Sequence, residues 1–219
     1  IELYTDETGT TETSIKAYLQ NLWNNSDGVL ADYLLICGDT GQVPACEGVH
    51  MYYSNDSQPT DLYYAEFTGD ILPDLFYGRM SATNASQLAA IIEKTIKYEQ
   101  YQFADDSYLN RVLLVGGKET SGSAPTCVNG QLNYTKEYFA GLDTSIYYNP
   151  SSSNYVSEIK SKINEGQAWI NYSAHCDENG WSNPSLTNSS VSSMTNREKY
   201  SFFINNCCLS SRFDESECF

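Results

Sequence analysis

Short apolar runs recur along the chain at Tyr33–Cys37, Leu75–Gly78, Arg111–Gly117, Ala168–Tyr172 and Tyr200–Asn205. A run that is apolar at every position, rather than at alternate ones, is the mark of a strand buried on both faces in a parallel sheet. The stretches between these runs carry helical stripes. Thr13–Asn24 places Ile15, Leu19 and Leu22 on one face, and Asn84–Tyr101 does the same with Ala89, Ile92 and Ile96 behind a candidate Asn84 cap. Further helical signals cover 128–140 and Tyr155–Ile163, with a short β run at Ser145–Tyr148 between them. Alternating strands and helices leave few options, because each apolar helix stripe must be buried on a sheet face. The expectation is an α/β fold with a mostly parallel sheet. The polar stretch 102–110 interrupts the pattern before it restarts, which predicts an N-terminal α/β subdomain over 1–105 and a second over 106–219. The Ser/Asn-rich stretch 182–196 reads as a loop with a short helix.

Charge narrows the function. Acidic residues outnumber basic ones 28 to 12, giving a net charge of −16, so a polyanion such as nucleic acid is not an expected partner. No apolar run approaches the ~20 residues of a membrane-spanning helix. The chain opens at Ile1-Glu2-Leu3 with neither an initiator Met nor a signal peptide, and is expected to be a processed piece of something longer. Seven cysteines, at 37, 46, 127, 176, 207, 208 and 218, form no CxxC pair. Their odd number leaves at least one thiol unpaired within the chain, a candidate reactive group. A composition rich in Ser, Thr, Asn and Tyr but poor in Lys has the flavour of an exported protein, so a secreted or cell-surface location is expected.

Histidine occurs only at His50 and His175. His175 follows the run Ala168–Tyr172, and Cys207-Cys208 follow the next run, ending at Asn205. Positions 175 and 208 lie one strand–crossover–strand unit apart, and open α/β sheets gather their ligands at the carboxyl ends of strands. Two neighbouring strands would deliver an imidazole and a thiol to one crevice. That pair is the minimal apparatus of nucleophilic acyl transfer, since the histidine favours the thiolate and later protonates the leaving amine. Against this stands the commoner use of a strand-end cysteine as a small buried hydrophobe.

Other constellations point elsewhere. His175, Cys176, Cys207 and Cys208 have zinc-ligand chemistry, but adjacent strand residues point to opposite faces, which is poor chelating geometry. No metal is therefore assigned to the site. Asp105-Asp106, or Asp27, Asp32 and Asp39, offer oxygen ligands for a structural calcium, with a solvated acidic face as the plainer reading. His50 reads as a loop histidine and Gly116-Gly117 as a turn.

Four segments, Tyr33–Asp39, Asp74–Met80, Ile170–His175 and Phe203–Cys208, resemble the gingipain family of cysteine peptidases in order and spacing. The helix Ile91–Glu99 and the segment from Phe213 to Phe219 extend the resemblance across nearly the whole chain. It implies a caspase-like three-layer α/β/α fold of two subdomains, and a secreted cysteine endopeptidase acting on protein or peptide substrates through a Cys-His dyad without a required cofactor. It assigns His175 as the catalytic histidine and Cys208 as the nucleophile, because the family has a small residue just before the nucleophile and Phe five residues after it, here Phe213. A substitution at Cys207 is then expected to be tolerated. Asp74 falls where the family carries an acidic residue that orients the histidine. The oxyanion hole would be the backbone N–H groups of Cys208 and Cys176.

The chain also departs from the family pattern. Cys176 stands where the family favours glycine, and Gln87 where arginine-cutting members carry an acidic selector, so no strong arginine preference is expected from Gln87. The chain ends 11 residues past Cys208, whereas the family continues with strands that line the specificity pocket. A downstream segment or second chain completing the fold is therefore an expected partner. An inactive homologue serving as a binding or structural domain, and a zinc-site protein, are the competing readings.

Overall fold

The computed structural model describes residues 2–26, 31–49 and 57–219, so His50 lies outside the described residues. The chain separates into two compact units, one comprising Ile1–Glu93 with Arg212–Ser216, the other Lys94–Ser211 with Glu217–Phe219. The division falls inside a helix, some residues before the polar stretch at 102–110.

The first unit contains α1 (Thr5–Thr8), α2 (Glu12–Asn24), β1 (Tyr33–Cys37), β2 (Cys46–Val49), β3 (Ser57–Thr60), α3 (Leu62–Ala65), β4 (Phe76–Met80) and the start of α4 (Ala85–Glu99). β1 and β4 pair in parallel from Tyr33↔Phe76 to Cys37↔Met80. Thr11 caps α2 by accepting the Ser14 N–H at 3.2 Å. The stripe behind that cap, Ile15 and Leu19, packs with Ile36, Cys46 and Tyr64. The continuous apolar run of β1 predicts burial on both faces, yet Tyr33 and Leu35 are 75% and 57% exposed. The helical cover packs on the Ile36 side of this two-stranded pair, so the alternate residues face outward.

A buried ion pair ties the unit's loops together. The Arg79 guanidinium grips Asp61 through two bonds, Nε to Oδ2 at 2.8 Å and Nη2 to Oδ1 at 2.7 Å. Its Nη1 donates to the carbonyls of Gly38 and Val43, and the Phe213 ring lies 4.9 Å from the guanidinium carbon. Fork geometry with satisfied donors is what makes a buried pair tolerable.

The second unit continues with β5 (Arg111–Gly116), α5 (Ala124–Tyr138), β6 (Asp143–Tyr147), a 3₁₀ turn at Ser151–Tyr155, α6 (Val156–Glu165), β7 (Trp169–Ser173), β8 (Cys176–Asp177), β9 (Gly180–Trp181), β10 (Leu186–Thr187), α7 (Asn188–Ser192) and β11 (Phe202–Asn206). Its main sheet has the order β11-β7-β5-β6 and every pairing is parallel. Alternate residues of β5 serve opposite faces. Leu113 and Val115 pack with Ile159 and Ile163 of α6, while Val112 and Leu114 pack with Leu132 of α5. Three layers result, as the alternation of strand and helix requires. Among the described residues, no helix is long and apolar enough to cross a membrane.

This order has a topological consequence. From β5 the chain moves outward to β6, then returns past β5 to place β7 on its other side. The winding reverses between β5 and β7, and such a switch point opens a crevice at the strands' carboxyl ends. The small antiparallel sheet β10-β9-β8 follows directly; β10 and the short helix α7 fall within 182–196, where a loop with a short helix was expected. Two-residue strands leave no periodicity to read.

Candidate active site

Three chain segments leave the sheet at the switch point: the one after β5 carries Glu119, the one after β7 carries His175, and the one after β11 carries Cys207 and Cys208. Register brings the last two together, since β11 and β7 pair from Phe202↔Trp169 to Asn206↔Ser173. Asn206 donates its side-chain amide to Ser173 Oγ at 2.9 Å, which secures the final rung.

His175 is held by its backbone. Its carbonyl accepts the Tyr172 hydroxyl at 2.7 Å and the Ser182 N–H at 3.1 Å. Tyr172 is fully buried, stacks on Trp181 with centroids 4.1 Å apart, and its hydroxyl is pushed well above the usual tyrosine range by burial. It therefore stays a neutral donor. Trp181 in turn donates Nε1–H to Asn205 Oδ1 at 2.8 Å, linking the hairpin after His175 to β11.

The imidazole itself is 74% exposed, and its Nε2 stands 3.3 Å from Oε2 of Glu119, whose side chain is only 9% exposed. Glu119 is a residue the sequence reading missed. The same logic that selected His175 could have found it, because it lies just past the carboxyl end of the run Arg111–Gly117. Buried Asn149 pins it from both sides, accepting the Glu119 N–H at 3.2 Å and donating to the Glu119 carbonyl at 3.3 Å. Asn149 is itself held by paired bonds with Asn129 at 3.0 and 2.9 Å.

Gly117 lets this segment come close enough. A Cβ there would meet Ala174 Cβ at 2.5 Å, and Asn183 O and the Tyr172 hydroxyl at 2.6 Å. The reading of Gly116-Gly117 as a simple turn understated it, since the requirement is close approach to the His175 segment.

Cys176 and Cys207 form a disulfide. The sequence left all pairings open and treated Cys207 as a small spacer before Cys208; the structure corrects that, because Cys207 is a half-cystine. Both partners flank the pair of interest, Cys176 immediately after His175 and Cys207 immediately before Cys208. The Cys208 carbonyl oxygen lies 2.7 Å from Cys176 Sγ. A half-cystine carries no S–H, so this is a close sulfur–carbonyl contact rather than a hydrogen bond. Cys208 itself is free and exposed. The bridge also consumes two of the four ligands of the zinc reading, which is dropped.

Cys176 pairs with Trp181 in a hairpin whose neighbouring pair is bonded through Ser182 N–H to His175 O. Antiparallel ladders alternate bonded and non-bonded pairs, so the Cys176 N–H points away from its hairpin partner. It is free of the hairpin ladder, as an oxyanion donor must be.

Two expected residues lie in the other unit with local partners. Asp74 Oδ2 accepts the backbone N–H groups of Phe67 at 2.6 Å and Thr68 at 3.2 Å, closing the loop before β4. Gln87 Oε1 accepts the Thr83 N–H and hydroxyl at 2.9 and 2.8 Å, while Asn84 Oδ1 accepts the Gln87 N–H at 3.1 Å. This is capping of α4, reading Asn84 as the cap as expected but giving Gln87 a local task. Among the acidic groups offered for calcium, Asp105 pairs with Lys199 at 3.2 Å and Asp39 accepts the Ser81 hydroxyl at 3.0 Å, while Asp27 lies outside the described residues.

Lys-gingipain of Porphyromonas gingivalis is 34% identical over 96% of the chain, and gingipain R2 of the same organism is 25% identical over 83%. The chain spans 12% of the first relative's length and 24% of the second's. A solved structure described as a protease superposes with a TM-score of 0.82 at 35% identity, covering 99% of this chain and 48% of that one. The crystal structure of the Arg-specific cysteine proteinase gingipain R gives 0.78 at 22% identity, over 95% and 48%. The caspase-like α/β fold is thus shared with gingipain catalytic domains. The model of peptidase family C25 matches residues 2–219, and the chain belongs to that family.

Proposed function

We propose that this chain is the dyad-bearing part of an exported cysteine endopeptidase, with Cys208 as nucleophile, His175 as general acid–base and Glu119 as the group that orients the imidazole. The observation that carries the reading is the meeting of His175 Nε2 and Glu119 Oε2 at 3.3 Å beside the strand end that presents Cys208. A carboxylate on Nε2 leaves Nδ1 to receive the thiol proton and stabilises the imidazolium that forms. The Cys208 thiolate then attacks the scissile carbonyl carbon, and the oxyanion is received by the N–H groups of Cys208 and Cys176. His175 protonates the leaving amine, a thioester remains, and a water deprotonated by His175 hydrolyses it. These bonds require no metal or cofactor.

The proposed partners are protein or peptide substrates, with a further segment or second chain supplying the rest of the pocket wall. Gln87 is not retained as a selector, because its amide oxygen is occupied in capping α4. Export is favoured by the Cys176–Cys207 bridge, since disulfides persist in oxidising compartments and are rare in the cytosol. The test is peptide-library cleavage by the full-length protein, before and after irreversible alkylation of Cys208 and in Cys208→Ala. Complete loss in both is expected. Undiminished turnover in Cys208→Ala overturns the reading, and no turnover in any form favours the inactive homologue.

A further inference from the structure

We infer that the Cys176–Cys207 disulfide is a positioning element of the active site, so that full turnover needs an oxidised pair directly beside a reduced nucleophile. The inference rests on the peptidase reading above for its kinetic half, but its geometry stands independently.

The parallel ladder between β7 and β11 ends at the pair Asn206↔Ser173. His175 and Cys208 each lie two residues beyond that last rung, where no sheet hydrogen bond links the two segments. On the histidine side, Tyr172 and Ser182 fix the backbone through the His175 carbonyl. On the cysteine side, the chain turns at once, with Leu209 at φ 62°, a left-handed conformation uncommon for a branched side chain. The covalent bond from Cys176 to Cys207 is the link that spans the gap after the ladder stops. Its Cα atoms stand 5.5 Å apart, and Cys176 Sγ touches the carbonyl of Cys208 itself.

The bridge therefore sets two things together. It fixes the approach of Cys208 to the imidazole, and it holds the Cys176 N–H, a proposed oxyanion donor, against the residue carrying the nucleophile. Reactions of this kind are sensitive to placement, and displacement of about 1 Å costs on the order of 100-fold. Reduction transfers two electrons and two protons to the bridge from a dithiol reagent, which closes to its own cyclic disulfide. It yields two thiols at Cys176 and Cys207 and leaves Cys208 a thiol throughout. A thiol peptidase is normally protected by reductant, so loss of turnover under strong reduction has no explanation in the nucleophile.

The experiment compares the full-length protein with its Cys176→Ala/Cys207→Ala double variant, which removes the bridge without leaving spare thiols. Three readouts are taken: kcat and KM on a peptide substrate, the pH profile of Cys208 alkylation, and the melting temperature. The expected result is a fall in kcat of about 10- to 100-fold with little change in KM. The alkylation profile should also lose the limb due to His175. If the variant does not fold, wild-type protein is reduced and then reoxidised at the bridge, and turnover should fall and return. Unchanged kcat and unchanged alkylation profile, in either format, overturn the inference. Should the wild type cleave no peptide while the bridge still controls Cys208 alkylation, the proposed function fails and the positioning role stands.

Discussion

Glu119 and His175 follow two adjacent strands, β5 and β7, that pair in register from Val112↔Trp169 to Gly116↔Ser173, and their side chains meet 3.3 Å apart beyond the last rung. Both segments leave the sheet where its winding reverses. The acid is nearly buried and the imidazole is mostly exposed, so the carboxylate is fixed by the fold while the ring faces solvent.

On the proposed function, this relationship gives the two carboxylates different roles. Glu119→Gln should lower kcat by about tenfold or more, less than the ~100- to 10,000-fold expected of His175→Ala. Asp74→Ala should leave kcat per folded molecule unchanged and instead cost about 1–3 kcal/mol of stability, because the N–H groups of Phe67 and Thr68 lose their acceptor. Steady-state kinetics alongside chemical denaturation checks both. An Asp74→Ala enzyme that is stable but slow would return the orienting role to Asp74.

Gly117→Ala tests the close approach that brings Glu119 to His175. The added methyl would press on Ala174, Asn183 and Tyr172, and overpacking of this kind costs about 1–3 kcal/mol. A lowered melting temperature together with reduced kcat is the expected outcome. Gly122→Ala is the control, since a Cβ there meets nothing within 4 Å, although its φ of 54° adds some strain.

Thiol labelling of the native protein should discriminate among the free cysteines. Cys208 is exposed, whereas Cys46 is buried and its thiol is pushed up to about 11 by that burial. At neutral pH an alkylating reagent should modify Cys208 early and Cys46 last, as read by peptide mass spectrometry over time. Early modification of Cys46 would mean that its unit opens far more readily than its packing implies.

Asp105 provides a pH test of the second unit. Its carboxyl is held down to about 2 by the Ser107 hydroxyl and N–H and by Lys199. A depressed carboxylate stabilises the fold above its unfolded value and loses that contribution as pH falls through the folded one. Asp105→Asn should therefore melt earlier than wild type at pH 5 to 7, with the difference shrinking between about pH 4 and pH 2. A difference independent of pH would assign the effect to packing instead of charge.

The sequence by itself determined the main-sheet strands of the second unit and the helices that cover them, because apolar run and helical stripe are local patterns written in consecutive residues. It also determined His175 and Cys208 as candidates, since each sits just past an apolar run. Tertiary structure decided what no local pattern carries. Glu119 reaches His175 only because β5 and β7 are neighbours across a reversal of winding. Cys176 finds Cys207 only because β7 and β11 pair in register, although 31 residues separate them. The outward-facing half of β1 was likewise illegible, because its residues are as apolar as buried ones and exposure depends on which layers pack against them. Periodicity records which residues prefer a core, whereas partnership between distant side chains is settled by strand order and register, which depend on the whole chain at once.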